Sequence, residues 1–230
     1  MSSAPSASTP AMPGAAEMPE LYVRCDDRAS CPSAVGMLVV ANGAGDEPER
    51  CTASLVAGDR VLTASHCLAA AERHTGAACA QTWVSFPETA AEPAESVACV
   101  RVLYAHELID EGALHPEHAL LQLERAVARA PLAVDASPPA PGSIVTVVSV
   151  TPHPVYGSTH ALTTRLCRAI DSQPAQDALG PAAADVGWLA SCPIAHGNSG
   201  SPVLDYQGRI RAIVHGGTSL TSAFAVTSQP

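Results

Sequence analysis

Two short stretches carry the residue types of nucleophilic acyl transfer. In Gly197-Asn-Ser-Gly-Ser-Pro202 a serine stands one residue before a glycine and two after another. Glycine reaches backbone conformations closed to other residues, so such a turn can lift the Ser199 hydroxyl clear of the chain. The same turn aims successive backbone N–H groups at one point where a tetrahedral oxyanion would form. A serine hydroxyl needs a base, and imidazole titrates near neutrality. Thr63-Ala-Ser-His-Cys67 offers His66 directly after an apolar run, with Cys51 sixteen residues before Cys67. A Cys51–Cys67 bridge would clamp the hairpin that carries the base, closing a loop that stabilises by about 3 kcal/mol in the chain-entropy account. Each stretch alone is ambiguous: the first could be any glycine-rich turn, the second a structural histidine beside a cysteine. Together they define a nucleophile, a base and an oxyanion site.

Short strands must position these groups. Apolar or alternating runs occupy residues 35–40, 51–56, 60–64, 82–86, 97–104, 119–123, 143–150, 209–214 and 222–227. Residues 57–59 read as the tight turn of a hairpin, and residues 68–73 as one short helical turn. No long amphipathic period occurs, so the pattern predicts an all-β fold of barrel or sandwich type. Residues 126–142 hold four prolines and read as a connection between two halves.

Composition removes other classes of chemistry. The formal net charge is −10, and no basic stretch exists to displace counterions, so nucleic acid is not an expected partner. All twelve basic residues are arginine, which excludes lysine Schiff-base and P-loop chemistry. No apolar run is long enough for a membrane-spanning helix. No cofactor is called for. Eight cysteines, none in C-x-x-C spacing, favour disulfides over zinc ligation and point to a secreted or periplasmic protein. Residues 1–19 lack the basic and apolar regions of a secretory signal, which leaves an intracellular location open. A His115-x-x-His118 pair is the nearest approach to a metal motif, and it reads as surface histidine rather than a zinc site.

With those residues in view, C-x-x-S-L followed by V-L-T-A-S-H-C, and then G-N-S-G-S-P, resemble the trypsin/chymotrypsin-fold serine endopeptidases, especially the bacterial glutamyl-endopeptidase-like branch. The resemblance runs from about Val35 to Val226. It implies two six-stranded Greek-key barrels with the active site in the cleft between them. On that basis a flexible leader (1–21) precedes an N-terminal barrel (22–130) carrying His66 and a C-terminal barrel (131–230) carrying Ser199. His66 is then the general base, Ser199 the nucleophile, and the N–H groups of Gly197 and Ser199 the oxyanion hole.

The third member departs from the family pattern. Where the family reads Asp-x-Ala-Leu-Leu, this chain reads Glu117-His-Ala-Leu-Leu121. Glutamate keeps the charge that orients an imidazole but adds a methylene. Glu117 is the expected partner, with Asp110 or Glu111 as alternatives. Asn198 replaces the aspartate of zymogen-type members and cannot pair with a liberated amine. An active site independent of a released N-terminus is expected, and residues 1–30 are not expected to be an activation peptide.

The position that carries aspartate in trypsin-like members is Pro193, so basic side chains are not the expected substrate. The resemblance implies that Ile194, His215, Gly216 and Gly217 line the primary pocket. The resemblance lets His215 contact an acidic side chain or border a pocket for small residues, and Arg209 or Arg211 could add positive potential. It also implies a Cys167–Cys192 bridge; Cys79–Cys99 and Cys25–Cys31 follow by elimination and proximity. The resulting expectation is a monomeric serine endopeptidase acting on protein or peptide substrates. The rival is a catalytically impaired binding module on the same scaffold, for which Glu117 in place of aspartate is the argument.

Overall fold

The computed structural model describes residues 23–25, 32–41, 47–106, 117–152, 160–173, 176–177, 186–217 and 221–226, with backbone alone for residues 23–25, 217 and 221–226. Six strands close the first barrel: β2 (Val35–Val40), β3 (Glu49–Ala57), β4 (Arg60–Thr63), β5 (Thr82–Phe86), β6 (Glu95–Ala105) and β7 (Ala119–Leu123). Their order around the ring is β2-β3-β4-β7-β6-β5. β2 is buried at all six positions because it lies between β3 and β5. Its Gly36 is required by space: a Cβ there would stand 2.7 Å from the Ser85 carbonyl oxygen. Met37, Leu38, Leu55, Phe86, Leu121 and Leu123 fill the interior.

The second sheet comprises β8 (Ile144–Pro152), β9 (His160–Ile170), β10 (Gly187–Ala190), β11 (Pro202–Leu204), β12 (Ile210–Gly217) and β13 (Thr221–Val226), joined by β1 (Val23–Cys25). The order is β1-β9-β10-β13-β12-β11-β8, and β8 pairs again with β9 along nine residues, which bends the sheet back on itself. All β elements and both halves of the expected two-barrel architecture are present. Val23–Cys25, placed by the sequence at the start of the first barrel, pairs in parallel with β9 of the second sheet. A parallel edge pairing leaves no hairpin signature in the sequence. The leader (1–21) lies outside the described residues.

The proline-rich connection is pinned rather than loose. Arg129 is buried, and its guanidinium donates to the carbonyls of Ser33 (2.9 Å) and Pro93 (2.6 Å) and to Glu95 (3.3 Å) while covering the Phe86 ring. A delocalised cation with five donors suits this site because each carbonyl is met by a separate N–H. Three of the expected disulfides are formed, Cys51–Cys67, Cys79–Cys99 and Cys167–Cys192. The Cys25–Cys31 pairing lies outside the described residues. No helix among the described residues is long and apolar enough to cross a membrane.

His118, expected at the surface, is instead in the core at 2 % exposure, and this corrects the sequence reading. It stands immediately before β7 and packs against the Tyr104 ring, 5.1 Å away. Neither ring nitrogen has a hydrogen-bond partner among the described residues. Burial, with the nearby His106, pushes its pKa below the ordinary histidine value. Below about pH 6.5 the unfolded chain gains a proton here that the folded chain resists, so stability falls with pH through that window. His118→Leu therefore raises the unfolding free energy by about 1–2 kcal/mol, and the gain widens as pH drops below about 6.5. Urea unfolding at pH 8 and pH 5 measures it; an equal effect at both would exclude titration of this ring.

Candidate active site

His66 sits in a 3-10 turn, Ser65–Cys67, at the end of β4. Four links hold the turn. Cys67 is bridged to Cys51 on β3. The Ser65 hydroxyl donates to the His118 carbonyl at 2.7 Å, tying the turn to the start of β7. Arg73 donates from Nη2 to the His66 carbonyl (2.9 Å) and from Nε to that of Leu68 (2.8 Å). The fourth link is between the functional groups themselves: His66 Nδ1 lies 2.6 Å from Glu117 Oε1. Asp110 and Glu111 lie outside the described residues.

The Glu117 side chain is 10 % exposed. Burial alone would raise its pKa. Hydrogen bonds and charge from His215 and His66 outweigh burial and hold it down to about 2, so it is ionised at neutral pH. An ionised carboxylate only accepts, so Nδ1 of His66 carries the hydrogen and Nε2 presents its lone pair. That tautomer is the one a base needs. His66 also stands close to Cys51 and Cys67, but both sulfurs are consumed in the bridge and offer no thiolate to a metal.

The Ser199 turn is built by two left-handed glycines, Gly197 (φ 92°) and Gly200 (φ 80°). Gly200 is also packed without room: a Cβ would stand 2.1 Å from the Thr52 carbonyl oxygen and 2.5 Å from Thr63 Oγ1. The same contact brings Gly200 against Ala64, two residues before His66. Asn198 is buried, with its Oδ1 accepting from Ala195 N (2.8 Å) and its Nδ2 donating to the Val150 carbonyl (2.9 Å). Both ends of the carboxamide are thus used by backbone, and no ion pair is involved. Among the described residues the N–H groups of Gly197 and Ser199 have no backbone acceptor.

Thr52, absent from the sequence reading, joins the two halves of the site. Its N–H donates to the Ser199 carbonyl at 2.8 Å, and its carbonyl accepts from Thr63 Oγ1 at 2.8 Å. Its hydroxyl donates to the Gly197 carbonyl at 2.8 Å and accepts from Val150 N at 3.0 Å. The only sequence hint is that Thr52 follows Cys51. A groove of about 310 Å³ opens beside Gly197, lined by Glu49, Arg50, Pro152, His160 and His196 among others.

The other pocket expectations fare unevenly. His215 turns its buried Nδ1 to 3.4 Å from Glu117 Oε1. Ile194 packs against the second-barrel core. At Gly216 the space beyond the backbone is open, and Gly217 pairs with Ser222. Arg209 and Arg211 are engaged elsewhere, both on Asp205 and Asp135, so neither supplies free positive potential. Arg165, which the sequence did not single out, donates to the Pro193 carbonyl.

A family model described as "Trypsin-like peptidase domain" matches residues 51–213. No curated protein matches the chain.

Thr52→Val keeps the shape and removes the hydroxyl, leaving the Gly197 carbonyl and Val150 N–H unpaired. It should cost about 2–4 kcal/mol in urea unfolding, while Thr52→Ser stays within about 1 kcal/mol of the parent. Equal stability of the valine variant would remove Thr52 from this role.

Proposed function

The chain belongs to the family of trypsin-like peptidase domains and is a serine endopeptidase; from that premise we propose that Ser199, His66 and Glu117 are its catalytic residues. The observation that carries this reading is the 2.6 Å His66–Glu117 contact on one wall, with the Ser199 turn bonded to Thr52 of the same barrel. His66 Nε2 takes the Ser199 proton, and Oγ attacks the scissile carbonyl. The developing imidazolium is stabilised by the ionised Glu117. The carbonyl oxygen gains negative charge and is received by the N–H groups of Gly197 and Ser199. His66 then passes its proton to the leaving amine, and water, activated by the same base, hydrolyses the acyl-enzyme.

The groove beside Gly197 suits an extended polypeptide, which fits a protein substrate. Specificity is not trypsin-like in this reading: Pro193 offers no carboxylate to a basic side chain. Ile194 supplies an apolar wall, and the Arg165 guanidinium at the Pro193 carbonyl supplies positive charge. The favoured residue before the cut is therefore small or acidic. The turn needs no liberated amine, because Asn198 is satisfied by backbone. Three disulfides favour an oxidising compartment, extracellular or periplasmic.

Ser199→Ala should abolish peptide hydrolysis and labelling by a fluorophosphonate probe with the unfolding midpoint unchanged. Labelling retained in that variant overturns the assignment. A peptide library should show enrichment of Glu, Asp, Ala or Ser before the cut, and Arg165→Gln should weaken the acidic share about tenfold. A preference for Arg, or an unchanged profile in the variant, contradicts the pocket described.

A further inference from the structure

We propose that His215 is a positioning residue that holds the Glu117 carboxylate in place against His66. The inference rests on the catalytic reading of Ser199, His66 and Glu117 above. Glutamate has one more rotatable bond than the aspartate usual at this position, so its carboxylate is less confined by the backbone. Its terminal torsion is also broad. One hydrogen bond to a moving base leaves such a group free to swing, and a second donor to the same oxygen narrows that freedom.

His215 is placed to be that donor by an irregularity in β12. The register with β13 runs Val214 to Phe224 and then Gly216 to Ala223, so His215 is the extra residue of a bulge. A bulge redirects the side chain it carries. Here the ring is turned inward, with the side chain 7 % exposed and Nδ1 3.4 Å from Glu117 Oε1. The oxygen contacted is the one that His66 meets at 2.6 Å. Nε2 of His215 has no hydrogen-bond partner among the described residues, so the ring has no competing polar attachment there. A ring in this place serves the third member of the catalytic set, which differs from the substrate contact expected from the sequence.

The two roles separate in kinetics. A contact to substrate moves KM and the residue preference before the cut; a support for Glu117 moves kcat. The test measures kcat and KM of the full chain on a peptide substrate for His215→Ala and His215→Asn, alone and in a Glu117→Ala background. Unfolding midpoints are taken for each. Alanine should lower kcat about tenfold to hundredfold with KM within about twofold. Asparagine, whose side-chain N–H can stand where Nδ1–H stands, should recover kcat to within about fivefold of the parent. In the Glu117→Ala background the alanine change should cost less than about twofold, because the group it supports is gone.

Equal loss in the alanine and asparagine variants, a change confined to KM, or full additivity with Glu117→Ala overturns the proposal. A parent protein that fluorophosphonate does not label overturns the catalytic reading itself. A labelled parent with His215 variants of unchanged kcat overturns only the role of His215.

Discussion

The site depends on two adjacent residues of β3. Side chains alternate across a strand, so neighbours point to opposite faces. Cys51 turns one way and bridges to Cys67, fixing the segment of His66. Thr52 turns the other way and bonds to the Gly197 carbonyl and Val150 N–H of the second barrel. Its backbone meanwhile binds Ser199 on one side and Thr63 on the other. One dipeptide therefore ties the His66 segment to the Ser199 turn. A net hydrogen bond is worth only about 0.5–1.5 kcal/mol, but these groups are buried, and leaving any of them unmet costs more than the bond supplies. The geometry is held by the penalty for its loss.

Charge in the site is arranged with similar economy. Glu117 is buried and ionised, and burial of a lone carboxylate would be costly. Two imidazoles meet one of its oxygens, while the other, Oε2, has no partner among the described residues. His118, the next residue, is buried with both ring nitrogens equally unmet. Consecutive unmet polar groups in a buried segment reduce stability. Their concentration beside His66 fits the general tendency of strain to gather at functional sites.

The parts of this protein legible in the sequence are those encoded locally. Strand periods, the hairpin turn at residues 57–59, the cysteine at His66 and the glycines at Ser199 all lie within a few residues of what they specify. His66 and Glu117, expected as partners, lie in hydrogen-bond contact. What escaped was non-local or irregular. The bonds of Thr52 span 145 and 98 residues, and nothing near residue 52 announces them. The direction of His215 depends on one slipped register, and a period-two reading assigns such a residue to the wrong face. His118 lies just before β7, off the face of Leu121 and Leu123, and both its place and its residue type read as surface. Arg129 was hidden inside a proline-rich connection that reads as a linker, yet it closes over Phe86 with its charge met by carbonyls from two separated segments.

The Ser199 turn shows why neutral bonds suffice there. Gly197 and Gly200 take left-handed conformations that other residues resist, and Gly200 tolerates no side chain at all. The chain path is thus narrowed before any charge acts. Asn198 then spans from Ala195 to Val150 with a carboxamide whose two ends match one donor and one acceptor. A carboxylate in its place would face the Val150 carbonyl with an acceptor and would need a cation to offset the repulsion. Asparagine removes that need, so the turn holds its shape without a titrating partner. Glu117 is ionised, and its charge faces His66, where the proposed reaction would create positive charge.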